Sequence, residues 1–118
     1  MILHITSRTE WNEAQTRGEY ITPTLQTEGF IHCSTEKQVA HVANAFYRGR
    51  NDLVLLNIEE AKLEPKLKWE PPAGPPAPGI SEFDSFPHIF GPINLTAVVS
   101  VLDFGPDPAT GTFIFPQA

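Results

Sequence analysis

Residues 29–49 read GFIHCSTEKQVAHVANAFYRG, and this stretch decides the fold. Gly29 opens it, and Phe30 to Cys33 read as a short strand. Ser34 or Thr35 then offers an N-cap hydroxyl, and Gln38 stands three residues beyond Thr35 in capping-box spacing. Val39, Val42, Ala43 and Phe46 follow at i, i+3, i+4 and i+7. That is one apolar stripe of an amphipathic helix, closed by Gly49. A strand therefore runs directly into a helix.

Toward the N-terminus the same grammar repeats. Ile2 to Thr6 is apolar apart from His4, consistent with a first strand. Ser7 and Glu10 have capping-box spacing, Trp11, Ala14 and Gln15 follow helical periodicity, and Gly18 suits the left-handed C-terminal position, so a helix of about ten residues is expected. Tyr20 to Leu25 is ambiguous, with Pro23 arguing against a central strand. Toward the C-terminus, LVLLNI at 53–58 reads as a buried central strand, and Leu67 to Glu70 as a neighbouring strand with one wet face. PPAGPPAPG at 71–79 is an extended, semi-stiff loop. FPHIFGP at 86–92 is apolar again, Leu95 to Phe104 is the longest strand candidate, and a turn at Asp107 to Gly111 precedes Thr112 to Phe115. Helices early and strands late predict an α+β fold, with two helices in the first half packed on mostly antiparallel small sheets. Residues 1–118 are long enough for one domain.

Charge and composition bound the function. Eight Lys and Arg oppose fourteen Asp and Glu, for a net charge of −6, and residues 69–118 contain no Lys or Arg. Non-specific nucleic-acid binding, which needs clustered cations, is excluded. No apolar run reaches the ~20 residues of a membrane span, and the N-terminus lacks a signal-peptide pattern. The single Cys33 allows no internal disulfide; the expectation is a cytoplasmic chain.

Three of the four histidines, His4, His32 and His88, stand in apolar strand-like settings, which points to one shared cleft. His41 lies beside the helical stripe and is read as a surface residue without a role. On strand alternation His32, Ser34 and Phe30 share one face. Ser34 is either an N-cap or a hydroxyl offered to a ligand at a helix start, where backbone amides favour phosphate. Glu70 stands before the proline loop as a candidate general base or stabiliser of a developing cation. Trp69 is a core residue or a stacking platform. His88 lies between Pro87 and the Gly91-Pro92 pair, a rigid frame. A three-histidine set could hold zinc or iron, although no local ligand spacing occurs. Cys33 as a nucleophile would need a base other than adjacent His32, which points to the opposite face. The proline loop would suit a non-catalytic ligand-sensing or protein-interaction module.

His4 on the first strand, the segment Gly29 to Thr35 with Gln38, Trp69-Glu70, and Phe86 to Pro92 together resemble the domain of unknown function 952 family over essentially the whole chain. That family's fold is similar to the ADP-ribosyltransferase fold, two small sheets around a nicotinamide-dinucleotide cleft. The resemblance implies NAD or another nucleotide or phosphorylated ligand, with ADP-ribosyl or phosphoryl-group transfer as the reaction. It implies His4 in the first-strand role toward the cofactor ribose, His32 and Ser34 as candidates for the second position, and Glu70 or His88 for the third. Phe30 and Trp69 would be walls. No Ser-Thr-Ser or Glu-x-Glu pattern of the transferases occurs.

Overall fold

Buried on both faces, Leu53–Ile58 is the strand around which the chain is organised, which is why it reads as an apolar run without alternation. The computed structural model describes residues 1–115. Its order is β1 (Ile2–Ser7), α1 (Arg8–Arg17), β2 (Glu19–Tyr20), α2 (Pro23–Thr27), β3 (Ile31–His32), α3 (Glu36–Phe46), β4 (Leu53–Ile58), β5 (Lys66–Glu70), β6 (Phe86–Phe90), β7 (Ile93–Asn94) and β8 (Val98–Phe104). The strands form three small sheets, β1-β4-β8, β3-β6-β5 and β2-β7, and every pairing is antiparallel. The fold is α+β.

Val54, Leu56 and Ile58 pack into one cluster with Trp11 and Ala14 of α1 and with Ile31 and Ile89 of the β3-β6-β5 sheet. Leu53 and Leu55 face the other cluster, with Val39 and Ala43 of α3 and with Phe113. The two sheets meet where the backbones of Leu3 and Ser34 exchange hydrogen bonds of 2.8 Å in each direction.

The caps follow their residues closely. Ser7 Oγ accepts from the Glu10 amide at 3.1 Å, whereas the Glu10 carboxylate accepts from the Thr6 hydroxyl rather than reaching back to the cap. Gly18 ends α1 at φ 97°. At α3 the N-cap is Thr35, and Gln38 Oε1 accepts its amide at 3.0 Å. Gln38 Nε2 donates to the Ser85 carbonyl at 2.8 Å, tying the helix to the far end of the proline loop.

Several elements depart from the sequence expectation. The segment left ambiguous contains a third helix, α2, too short for an apolar period and started by Pro23 in its first turn. Lys66–Glu70 neighbours β6 rather than β4, because the two belong to different sheets. Phe46 is largely exposed, so the buried part of the α3 stripe stops at Ala43. Leu95–Ala97 is a 3-10 turn that leads into β8. Thr112–Phe115, for which the sequence predicts no element, is held to α3 by Asn44, which accepts the Phe113 amide at 2.7 Å and donates to its carbonyl at 3.1 Å. Among the described residues no helix is long and apolar enough to cross a membrane.

Leu56, fully buried at the centre of β4, sets the expected core cost: Leu56→Ala should lower unfolding free energy by about 2–5 kcal/mol. Urea unfolding of the variant checks this, and a loss below about 1 kcal/mol would contradict the core described.

Candidate functional site

Where β1 and β3 diverge beyond the Leu3–Ser34 bridge, they leave a cleft of about 660 Å³. One wall is the β1 edge with Leu3, His4 and Ile5; the second carries His32, Ser34 and His88 from the β3-β6 pair. The end of α3 contributes Val42, Phe46 and Tyr47, and the proline loop closes the side with residues 72–77.

The three histidines have distinct environments. His4 Nδ1 lies 2.6 Å from the His32 carbonyl, which can only accept, so Nδ1 carries the proton. His4 Nε2 therefore accepts from the Tyr20 hydroxyl at 2.7 Å. Burial lowers the His4 pKa to about 4, against the opposing effect of its bond to the His32 carbonyl. Burial likewise pushes the Tyr20 phenol up, and β2-β7 pairing holds Tyr20 in place. Cys33 Sγ is 3.9 Å from His4 Nδ1, and burial pushes its thiol well above the ordinary range. A thiol so held packs in the core cluster, where burial disfavours the thiolate.

His88 is 2% exposed, and its Nδ1 donates to Glu70 Oε1 at 2.8 Å. Phe30 stacks on it with centroids 4.1 Å apart and planes 21° from parallel. His32, directly opposite His88 in the β3-β6 register, points to the same face, and the two rings lie edge-on at 5.6 Å. His32 Nε2 donates to Glu28 Oε2 at 3.1 Å. Each imidazole of this pair thus has a carboxylate behind it. Ser34 is buried; with Thr35 serving as the cap, its hydroxyl has no hydrogen-bond partner among the described residues and lies on the cleft wall.

Of the residues expected from sequence, His4, His32, Ser34 and His88 line the cleft together. Phe30 and Glu70 stand behind the wall and contact His88. Trp69 alternates to the strand face opposite Glu70 and is half-exposed, so it is not a cleft wall. The three-histidine metal reading fails on lone pairs, since both His4 nitrogens are already engaged. Among the described residues no group of three His, Cys, Asp or Glu side chains is arranged to hold a metal. Sequence reasoning missed Tyr20, which sat in the ambiguous segment, and Glu28, whose four-residue spacing to His32 spans a turn rather than a helix.

The family described as "Protein of unknown function (DUF952)" matches residues 5–101. Among solved structures, the crystal structure of protein CC0527 from Caulobacter crescentus is similar at 33% identity and a TM-score of 0.78, covering 95% of this chain and 91% of that one. A double mutant of the same protein matches at 32% identity with the same TM-score and coverage. Its solution NMR structure matches at 32% identity and a TM-score of 0.73, covering 92% and 87%. No curated protein matches.

His4 makes stability depend on pH with a definite sign. With a pKa of about 4 folded against 6.5 as the ordinary value, the unfolded chain binds more protons between these limits, so stability rises with pH there. The contribution is complete above pH 6.5 and lost as pH falls toward 4, about 2–3 kcal/mol by pH 4.5. Urea unfolding at pH 7 and 4.5 should show that His4→Gln removes this part of the slope; an unchanged slope would contradict a neutral, buried His4.

Proposed function

The chain belongs to this family of unknown function, and from that premise we propose that the cleft binds a ribose-bearing nucleotide such as NAD and transfers its ADP-ribosyl group. The observation that carries this reading is His88, buried, clamped at Nδ1 by Glu70 and part of the cleft wall. A carboxylate-backed imidazole is an oriented acceptor that moves little during reaction. His88 Nε2 accepts a hydrogen bond from the sugar hydroxyl beside the anomeric carbon. That bond strengthens as positive charge develops at the sugar. The C1′–N bond breaks with its electron pair leaving on nicotinamide, the acceptor's nucleophilic atom bonds to C1′, and the acceptor's proton passes to solvent. Glu70 works through His88 as a positioning residue and does not touch the ligand.

The remaining walls support the same ligand class. Val42, Phe46 and Tyr47 offer an apolar and aromatic surface for a planar ring. Arg50 also lines the cleft, but Asp52 holds its guanidinium in two bonds of 3.0 and 2.7 Å. Affinity then rests on ring stacking and hydroxyl contacts rather than on a cationic patch. Two small antiparallel sheets meeting at a cleft, with a histidine on the first strand, fit an ADP-ribosyltransferase-like fold, and we read the fold so. Pro72 to Ala77 belong to the cleft wall, which favours this reading over a loop that presents itself to a protein partner.

Calorimetric titration with NAD and with ADP-ribose, followed by assay of nicotinamide release, tests the proposal. Both ligands should bind and shift the ring resonances of His32 and His88. His88→Ala should slow nicotinamide release by about 10²–10³, and Glu70→Gln should slow it less while leaving the fold intact by circular dichroism. Absence of binding at millimolar ligand, or undiminished release in His88→Ala, would overturn it.

A further inference from the structure

We propose that His32 and His88 act as a matched pair of hydrogen-bond acceptors that reads the cis-diol of a ribose, with Glu28 as the positioning residue that sets His32 for this task. The inference rests on the reading of the cleft as a nucleotide site and specifies which part of the nucleotide is recognised. It comes from hydrogen-bond accounting. A carboxylate accepts only, so the nitrogen facing it must carry the proton, and the other nitrogen of a neutral imidazole must present a lone pair. Glu70 places the His88 proton on Nδ1, leaving Nε2 as the acceptor. Glu28 places the His32 proton on Nε2, leaving Nδ1 as the acceptor.

Neither of these two nitrogens has a partner among the described residues; His88 Nε2 is not sealed away, since Asn57 Oδ1 is the one buried polar side-chain atom left unsatisfied there, and the His32 side chain is itself 42% exposed. The β3-β6 register puts the two rings on one face with centroids 5.6 Å apart. Two adjacent hydroxyls of a furanose are donors at a spacing such a pair can span. His4 takes no part, because Tyr20 and the His32 carbonyl occupy both of its nitrogens. Two lone pairs side by side also repel an oxyanion, so a phosphate ester at either hydroxyl would be refused. The site therefore selects ribose over deoxyribose and a free diol over a phosphorylated one.

Binding at pH 8 of AMP and nicotinamide mononucleotide, each beside its 2′-deoxy analogue, tests the pair. At least one ribonucleotide should bind about tenfold tighter than its deoxy form. Glu28→Gln should bring that ratio toward one while leaving affinity for the deoxy form unchanged. Glu28 lies half-exposed at the end of α2, so the melting temperature should stay put. The ¹⁵N shifts of His32 should move from one tautomer to a mixture. Equal binding of ribo and deoxy forms, or a ratio untouched by Glu28→Gln, would overturn the inference even where NAD is turned over. Discrimination without any nicotinamide release would sustain it and sink the transfer reading. If neither mononucleotide binds, the inference fails.

Discussion

The imidazole of His4 is the constraint on which the site depends. At the point where β1 and β3 part to open the cleft, the backbone ladder stops after Leu3 and Ser34, and the next carbonyl, that of His32, would lack a partner. His4 supplies it from the side, and Tyr20 satisfies the other nitrogen from the β2-β7 ribbon. A buried imidazole is tolerable only because both bonds are made. The cost of keeping it neutral appears as its depressed pKa. His4, which the family resemblance places against a cofactor ribose, is thus also the joint between the sheets.

From that joint the rest follows by register. Once the His32 carbonyl is fixed, β3 presents the His32 and Ser34 side chains to the cleft, and antiparallel pairing sets His88 directly opposite His32. The β5-β6 register brings Glu70 beside His88 across a connection with a dense run of prolines. That connection is no idle excursion. It is fastened to α3 where Gln38 bonds Ser85, and again where Gly79, at φ 89°, lies so close to the His41 ring that any Cβ would collide with it. Prolines reduce what the loop loses on ordering. A wall that does not need to be ordered by its ligand leaves more of the binding energy for the ligand itself.

Much of this was legible in the sequence, and what was not has a physical reason. The first and third helices and the central strand β4 are written in local signals: caps at Ser7 and Thr35, Gly18 in left-handed geometry, and an unbroken apolar run at 53–58. The grouping of His4, His32, Ser34 and His88 was legible because each stands polar in an apolar setting. Which sheet β5 joins was not, since a strand's own alternation says nothing about its partner. Nor were the partners of the histidines. Glu28 reaches His32 across a turn, and Glu70 reaches His88 over an 18-residue separation. These pairings exist only in the folded register, so a pass along the chain finds the imidazoles but not their tautomers.

On the proposed reading, those tautomers are what would let an acidic protein serve a nucleotide. A net charge of −6 and carboxylates behind two of the cleft histidines make a poor setting for gripping phosphate. The same carboxylates make each histidine an oriented acceptor, because they hold its proton on the nitrogen facing the glutamate and leave the other as a lone pair. Lysine or arginine at positions 32 and 88 could only donate and would select anions. Histidine backed by glutamate reverses the preference toward hydroxyl donors. On this reading the acidity of the chain belongs to the recognition chemistry, and the scarcity of cations around the cleft is what makes a sugar, rather than a phosphate, the group that the site identifies.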